Sequence, residues 1–178
     1  RKISPLGVVT TLAGSGQDGF ADGPGADATF RLPEGVAVRA DGSVVVADTF
    51  NDRIRLITPE GLVASLAGSG TCGFADGSAA EAQFKFPLKI AVGRGGAVLV
   101  CDAGNNRLRR IAPNGAVSTI AGSGAFGHLD GIGRAATFDF PTSIAVDTAG
   151  HAVVGEDGGR IRKIVLATGE VTTLGNGF

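Results

Sequence analysis

Short apolar runs, broken at close intervals by Gly, Asp or Pro, recur along the whole chain. Val44-Val45-Val46-Ala47, Val98-Leu99-Val100-Cys101 and Ala152-Val153-Val154 are continuously apolar, as in a strand covered on both faces. Val171-Thr172-Thr173-Leu174 mixes polar with apolar positions, which suits an outer strand with one wet face. β-Branched residues dominate these runs, so the pattern predicts antiparallel strands rather than helices.

The runs are organised by a repeat. Leu12-Ala13-Gly14-Ser15-Gly16 returns as Leu66-Ala67-Gly68-Ser69-Gly70 and as Ile120-Ala121-Gly122-Ser123-Gly124, a spacing of 54 residues, and a weakened copy, Leu174-Gly175-Asn176-Gly177, ends the chain. Phe30, Phe84 and Phe138 keep that spacing, as do Pro33, Pro87 and Pro141, and the pairs Asp22-Gly23, Asp76-Gly77 and Asp130-Gly131. One period holds four strands, predicted at 35–38, 44–48, 53–57 and 62–67, with turns at Ala40-Asp41-Gly42-Ser43 and Thr58-Pro59-Glu60-Gly61. Four strands per repeat make a propeller blade, and a fixed period of this length is the mark of a repeat architecture.

The predicted fold is therefore all-β: a β-propeller of four-stranded antiparallel blades, about three and a half of them, within one domain. Residues 1–16 supply the third and fourth strands of a partial blade, followed by blades at 17–70, 71–124 and 125–178. Such a set cannot close, and its open edges predict that further repeats or a partner complete the ring. The absence of methionine supports reading the sequence as a piece of a longer one. Between blades the chain spends about 18 residues (16–33, 70–87 and 124–141), long enough to need structure of their own. A turn and one short helical turn are expected there, with Phe30, Phe84 and Phe138 tucked beneath as anchors.

Composition narrows the partners. Sixteen basic and 17 acidic residues leave a net charge of −1, which gives no long-range attraction to nucleic acid or anionic lipid. No apolar run approaches the ~18 residues of a membrane span, and no signal-like segment opens the chain. Thirty glycines read as turn residues. Cys72 and Cys101 fall at unrelated places in their repeats, one in a loop and one in a strand, which argues against a disulfide and is compatible with a reducing compartment.

Four patterns suggest chemistry. Gly14-Ser15-Gly16-Gln17-Asp18-Gly19 and its two copies fit a phosphate-binding fingerprint, but Phe-Ala-Asp-Gly follows where a helix should start, so these are turns. Arginines cluster on the third strands, and the expected arrangement pairs Arg53 with Asp48 and Arg107 with Asp102, pinning each blade. The recurrent Asp22, Asp76 and Asp130 lack the neighbouring oxygen ligands that calcium needs and are expected to cap their own turns. His128 and His151 sit at unrelated phases, with His128 where the other copies carry Phe20 and Phe74. They form no set of metal ligands or catalytic triad. No catalytic, cofactor-binding or metal-binding residue is predicted.

Arg53-Ile54-Arg55-Leu56-Ile57, Pro87-Leu88-Lys89-Ile90-Ala91-Val92, Asp102-Ala103-Gly104-Asn105-Asn106-Arg107 and Val9-Thr10-Thr11-Leu12-Ala13-Gly14-Ser15-Gly16 closely resemble NHL repeats. The resemblance implies a propeller of commonly six blades. It leaves function open, because the family includes protein-binding, RNA-binding and enzymatic members. The third copy departs from it: Glu156-Asp157-Gly158-Gly159-Arg160 is one residue short and lacks the Asn found at 51 and 105. The reading is a non-enzymatic scaffold or protein-interaction module without a cofactor. Its alternatives are an RNA-binding propeller, or a lyase or hydrolase whose site lies in other blades. Protein partners are expected on the face that carries the long loops and the second-to-third strand turns, with Phe50, Asn51, Asn105 and Asn106 as interface candidates. Nucleic acid is disfavoured, and the sequence names no small-molecule ligand. Asp48, Arg53, Asp102, Arg107, Phe30, Phe84 and Phe138 are expected to be structural.

Overall fold

A computed structural model describes residues 1–175; Asn176 and Gly177 of the weakened terminal copy lie outside the described residues. A two-stranded hairpin, β1 (Lys2–Ile3) with β2 (Val9–Thr10), precedes three blades. The first blade contains β3 (Gly23–Pro24), β4 (Pro33–Val38), β5 (Val44–Asp48), β6 (Arg53–Ile57) and β7 (Leu62–Ala67). The second contains β8 (Pro87–Val92), β9 (Val98–Asp102), β10 (Arg107–Ile111) and β11 (Val117–Ala121). The third contains β12 (Gly131–Ile132), β13 (Pro141–Val146), β14 (His151–Glu156), β15 (Ile161–Val165) and β16 (Glu170–Gly175). Every strand pair is antiparallel, and the four main strands of each blade pair in chain order. The innermost strands β4, β8 and β13 lie side by side, so the blades fan around a common axis.

Burial follows the apolar pattern. All five residues of β9 are buried, and four of the five in β5, because these strands are covered by blades or loops on both faces. The outer strand β7 buries Val63 and Ala67 and exposes Leu62, Ala64 and Ser65. The cores lie between blades: Val45, Ala47 and Ile54 of the first blade form one cluster with Ala82, Phe84, Ile90, Val98 and Val100 of the second. An equivalent cluster joins Leu99, Cys101 and Leu108 to Ala136, Phe138, Ala152 and Ile164.

Each long loop crosses from one blade to the next and ends against the outer strand it will belong to. β3 pairs with β7, β12 with β16, and Gly77 bridges Val117 in the second blade. A single helical turn follows, in which the Ala28 N–H donates to Pro24 O at 3.0 Å and the Ala82 N–H to Ser78 O at 3.0 Å. Phe84 and Phe138 are then fully buried, while Phe30 is half-buried. The glycines of the phosphate-like fingerprint have left-handed or related backbone (Gly14, Gly16 and Gly19 at φ 102°, 87° and 153°), and no helix follows them. At Gly68 an added Cβ would stand 2.8 Å from Asp52 O, so only glycine lets the chain pass over that turn.

Candidate functional site

The third-strand arginines divide into two sets, and the expected pairing changes. Arg53 and Arg107 stand directly opposite Asp48 and Asp102 in the ladders, yet neither binds the carboxylate. Arg53 donates to Gly68 O at 2.7 Å and Ser69 O at 2.5 Å, with its guanidinium 4.2 Å from the Phe20 ring centroid. Arg107 repeats this on Ser123 O and lies 3.7 Å from the Phe74 centroid. Partial burial, first of all, lowers the Arg107 pKa. These two side chains clamp the glycine-rich turn at the start of the next long loop.

The carboxylates go to the arginines two residues on. Arg55 is fully buried and donates from Nη1 to Asp48 Oδ2 at 2.7 Å and to Thr29 O at 3.1 Å. Its Nη2 reaches Asp22 Oδ1 at 2.6 Å and Ala21 O at 2.7 Å, and its Nε reaches Asp22 Oδ1 at 3.1 Å. All five N–H donors of the guanidinium thus find acceptors, the condition under which a buried cation is tolerated. Phe20 and Phe30 lie on it with centroids at 4.7 and 5.0 Å. Arg109 repeats the bracket with Asp102 at 2.7 Å, Asp76 at 2.8 Å, Gln83 O and Ala75 O, between Phe74 and Phe84. Burial raises the Asp102 pKa, opposed by the Lys85 N–H, Arg109 and Asn105.

The recurrent aspartates are therefore brackets between blade elements rather than caps of their own turns. Asp22 also accepts from the Ser65 N–H at 3.1 Å, and Asp130 from the Thr173 N–H at 3.0 Å and hydroxyl at 2.8 Å. Partial burial pushes the Asp130 carboxyl up, but these bonds and Arg162 outweigh it and lower its pKa. Among the described residues no group of three or more His, Cys, Asp and Glu is placed to hold a metal ion.

The third blade keeps the bracket in altered form. Arg162 donates to Glu156 Oε1 at 2.9 Å, Asp130 Oδ1 at 2.9 Å, Thr137 O and Leu129 O, against Phe138 at 5.2 Å. His128 replaces the second ring, its Nδ1 3.9 Å from Glu156 Oε2, and neither atom nor Arg162 Nε has a hydrogen-bond partner. The donor missing at Glu156 is the one that Asn supplies elsewhere. Asn51 Nδ2 bridges Asp48 Oδ2 at 2.9 Å and Gly19 O at 2.8 Å, and Asn105 Nδ2 bridges Asp102 Oδ2 at 2.9 Å and Gly73 O at 2.7 Å.

Two of the expected interface residues, Asn51 and Asn105, are thus half-buried and bonded inward. Asn106 adopts left-handed backbone (φ 50°), and its Oδ1 accepts the Phe140 N–H of the next blade at 2.9 Å, an inter-blade rather than an outward role. Asp52 does the same for the Phe86 N–H at 2.9 Å. Phe50 remains outward: it is 42% exposed and meets Phe86 edge-on at 5.3 Å across the blade boundary. The second-to-third strand turns do sit against the ends of the long loops, since the Phe50 N–H donates to Arg31 O and the Gly104 N–H to Lys85 O.

Sequence reasoning missed one recurring feature of this face. Leu32, Phe86 and Phe140 hold left-handed backbone at φ 44°, 48° and 43°, and Leu32 and Phe140 are exposed. A large apolar residue in that conformation costs on the order of 1–3 kcal/mol and persists only where the surroundings impose it. Its signal was present as an apolar residue before each of Pro33, Pro87 and Pro141. The cysteines are free, and burial pushes both thiols up, Cys101 the more deeply.

The geometry defines a β-propeller segment, and comparison with known proteins agrees. Residues 84–111 match the model of the NHL repeat. A stretch of 97 residues is 35% identical to SUPPRESSOR OF QUENCHING 1, a chloroplastic protein of Arabidopsis thaliana, covering 54% of this chain and 9% of that protein. Among solved structures, virginiamycin B lyase from Staphylococcus aureus superposes with a TM-score of 0.58 at 16% identity, over 97% of this chain and 46% of the lyase. A gluconolactonase from Xanthomonas campestris gives 0.63 at 14% identity, over 93% and 50%. At these identities the two enzymes share the fold. The chain spans about half the length of these structures and a tenth or less of the curated relative. No helix among the described residues is long and apolar enough to cross a membrane.

Proposed function

We propose that this NHL-type propeller segment serves as a non-catalytic protein-interaction module whose contact surface is the long-loop face. The observation that carries the reading is a division of labour on that face. Arg55, Arg109 and Arg162 are buried and paired in the brackets, with the buried Asp48, Asp102 and Glu156 on one side and the partly exposed Asp22, Asp76 and Asp130 on the other. Large apolar side chains are left pointing outward: Leu32, Phe50 and Phe140, beside the half-buried Phe86. Exposed aromatic residues flanked by cations, here Arg31 and Lys85, have the composition of a protein interface core and its rim. The net charge of −1 and the internal use of the third-strand arginines weigh against a phosphate-backbone partner. The lyase and the lactonase share the fold, and one fold hosts many unrelated functions.

The test begins with the proteins that copurify with this chain. Direct binding of each to this chain is then measured by calorimetry, before and after Phe50→Glu and Phe140→Glu. Affinity should fall at least ~10-fold for a true contact, the loss expected when a hot-spot ring worth over 1.4 kcal/mol is replaced. Unchanged circular dichroism would show that the fold survives. Undiminished binding of every partner rejects this face as the contact surface. Submicromolar binding of single-stranded RNA at physiological salt, lost on replacing Arg31 and Lys85, would reassign it to nucleic acid.

A further inference from the structure

We propose that His128 is a proton-operated latch for the third long loop: on taking up a proton, its Nδ1 closes onto Glu156 Oε2 and ties residues 124–141 to the end of β14. The first two blades make the corresponding tie with a group that does not titrate. The Asp48 carboxylate accepts the Arg31 N–H at 2.7 Å, the Arg55 guanidinium and the Asn51 amide, and Asn51 also holds Gly19 O of the loop. Asp102 repeats the set with Lys85, Arg109 and Asn105, which holds Gly73 O. Both oxygens of each carboxylate are thereby satisfied, and the turn is pinned to the loop it faces.

Three changes coincide at this corner of the third blade. The turn is one residue short and has no Asn, Glu156 stands for Asp48 and Asp102, and His128 stands for Phe20 and Phe74. Glu156 Oε1 keeps two donors, the Asp139 N–H at 3.1 Å and Arg162 at 2.9 Å. Glu156 Oε2 keeps none, although the side chain is fully buried, and Gly127 O has lost the amide that Gly19 O and Gly73 O receive. A buried carboxylate oxygen without a donor is unfavourable. The group placed to supply one is His128, whose Nδ1 is itself buried and unpartnered 3.9 Å away.

Protonation makes that nitrogen a donor. A neutral imidazole carries one N–H and one lone pair, whereas the imidazolium presents an N–H at both nitrogens, so Nδ1 then donates whichever tautomer it came from. Imidazole is the side chain that ordinarily changes charge between about pH 5 and 8. Because 31% of the His128 side chain is exposed, the proton reaches it from solvent. Around this corner Arg162 is engaged by Glu156, Asp130 and two carbonyl groups, Arg107 of the preceding blade by Ser123 O, and Arg160 is half-buried at the entry to β15. With Asp139 and Asp157 beside them, four carboxylates stand against three guanidiniums, and the imidazolium restores the balance. Phe126, which is 70% exposed, meets the His128 ring edge-on at 5.7 Å, so the latch also sets how firmly this outward aromatic residue is held.

The experiment is amide hydrogen exchange of this chain at about pH 5.5 and about pH 7.5, on either side of the imidazole transition, with the intrinsic rate at each pH divided out. The Gly127 and Leu129 amides, bonded to Phe138 O and Thr137 Oγ1, should be at least ~10-fold better protected at the lower pH, because the tie is present below the imidazole range and lost as pH rises through it. The equivalent Gly73 and Ala75 amides of the second blade, where Asn105 makes the tie, should keep the same protection at both. His128→Phe, the ring that the other copies carry, should abolish the difference, and His151→Gln should leave it in place. Protection independent of pH overturns the proposal, as does a pH dependence that survives His128→Phe or disappears with His151→Gln. Nitrogen-15 NMR of the imidazole gives a second reading on the unsubstituted chain. At the lower pH the His128 Nδ1 proton should exchange at least ~10-fold more slowly than in free histidine, and a freely exchanging proton there overturns the latch.

Discussion

Replacing Arg109 tests which arginine bears the structure. In the second blade Arg109→Ala removes five hydrogen bonds at once, to two carboxylates and two carbonyls. Asp102, whose side chain is fully buried, keeps only the Lys85 N–H and the Asn105 amide. Stranding one member of a buried ion pair costs about 3–5 kcal/mol, most of it the uncompensated charge rather than the lost attraction. The Phe74–Phe84 sandwich also loses its filling. Arg107→Ala, by contrast, frees carbonyl groups at a half-buried site whose Nε already lacks a partner, so about 1 kcal/mol is expected. Urea denaturation followed by circular dichroism should therefore separate the two variants by roughly 2–4 kcal/mol. In a domain of this size that is ~4–16 °C in Tm. A double variant, Arg109→Met with Asp102→Leu, should be less destabilised than Arg109→Ala alone, because no charge is left buried. Equal losses for Arg107→Ala and Arg109→Ala, or no recovery in the double variant, would refute the bracket.

Other consequences follow from the same geometry. Phe84→Ala should cost ~3–5 kcal/mol by urea denaturation, as expected for a fully buried ring, and Phe30→Ala clearly less, because its ring is half-buried. Gly124→Ala should destabilise through both backbone and contact, since its φ is 95° and a Cβ would meet the Arg107 guanidinium; Gly150→Ala, at φ 92° with open space around it, isolates the backbone share. Calorimetry across acid pH should show stability falling as Asp147 and Asp130 protonate. Both carboxyls sit below the usual value in the folded state, Asp147 at about 2 because of the His151 N–H and ring, and Asp130 through Thr173 and Arg162. Their contribution is complete above pH ~4 and lost as pH falls through the folded values. Asp147→Asn should flatten that acid limb, and an unchanged profile would contradict the assignment.

The period, the strands and the blade architecture were legible in the sequence because each depends on local rules. Val44–Asp48, Arg53–Ile57 and Leu62–Ala67 are strands wherever an apolar β-branched run is bounded by Gly, Pro and Asp. Phe84 and Phe138 could be read as anchors because an aromatic residue recurring at one phase occupies one recurring cavity. The partners of the charges were not legible. Arg53 and Arg55 share a strand face, both recur in every full copy, and Asp48 is within reach of each. What chooses between them lies 15 to 34 residues away in sequence, where the long loop lays Asp22, Ala21 O and Thr29 O over Arg55 and the next loop offers Gly68 O and Ser69 O to Arg53. The same holds for Asn51 and Asn105, which look like surface turn residues until the loop brings Gly19 O and Gly73 O to them. Periodicity settles which residues are equivalent in each blade. Only the crossing of one blade's loop onto the next decides what they touch, because those contacts join segments that no local propensity couples.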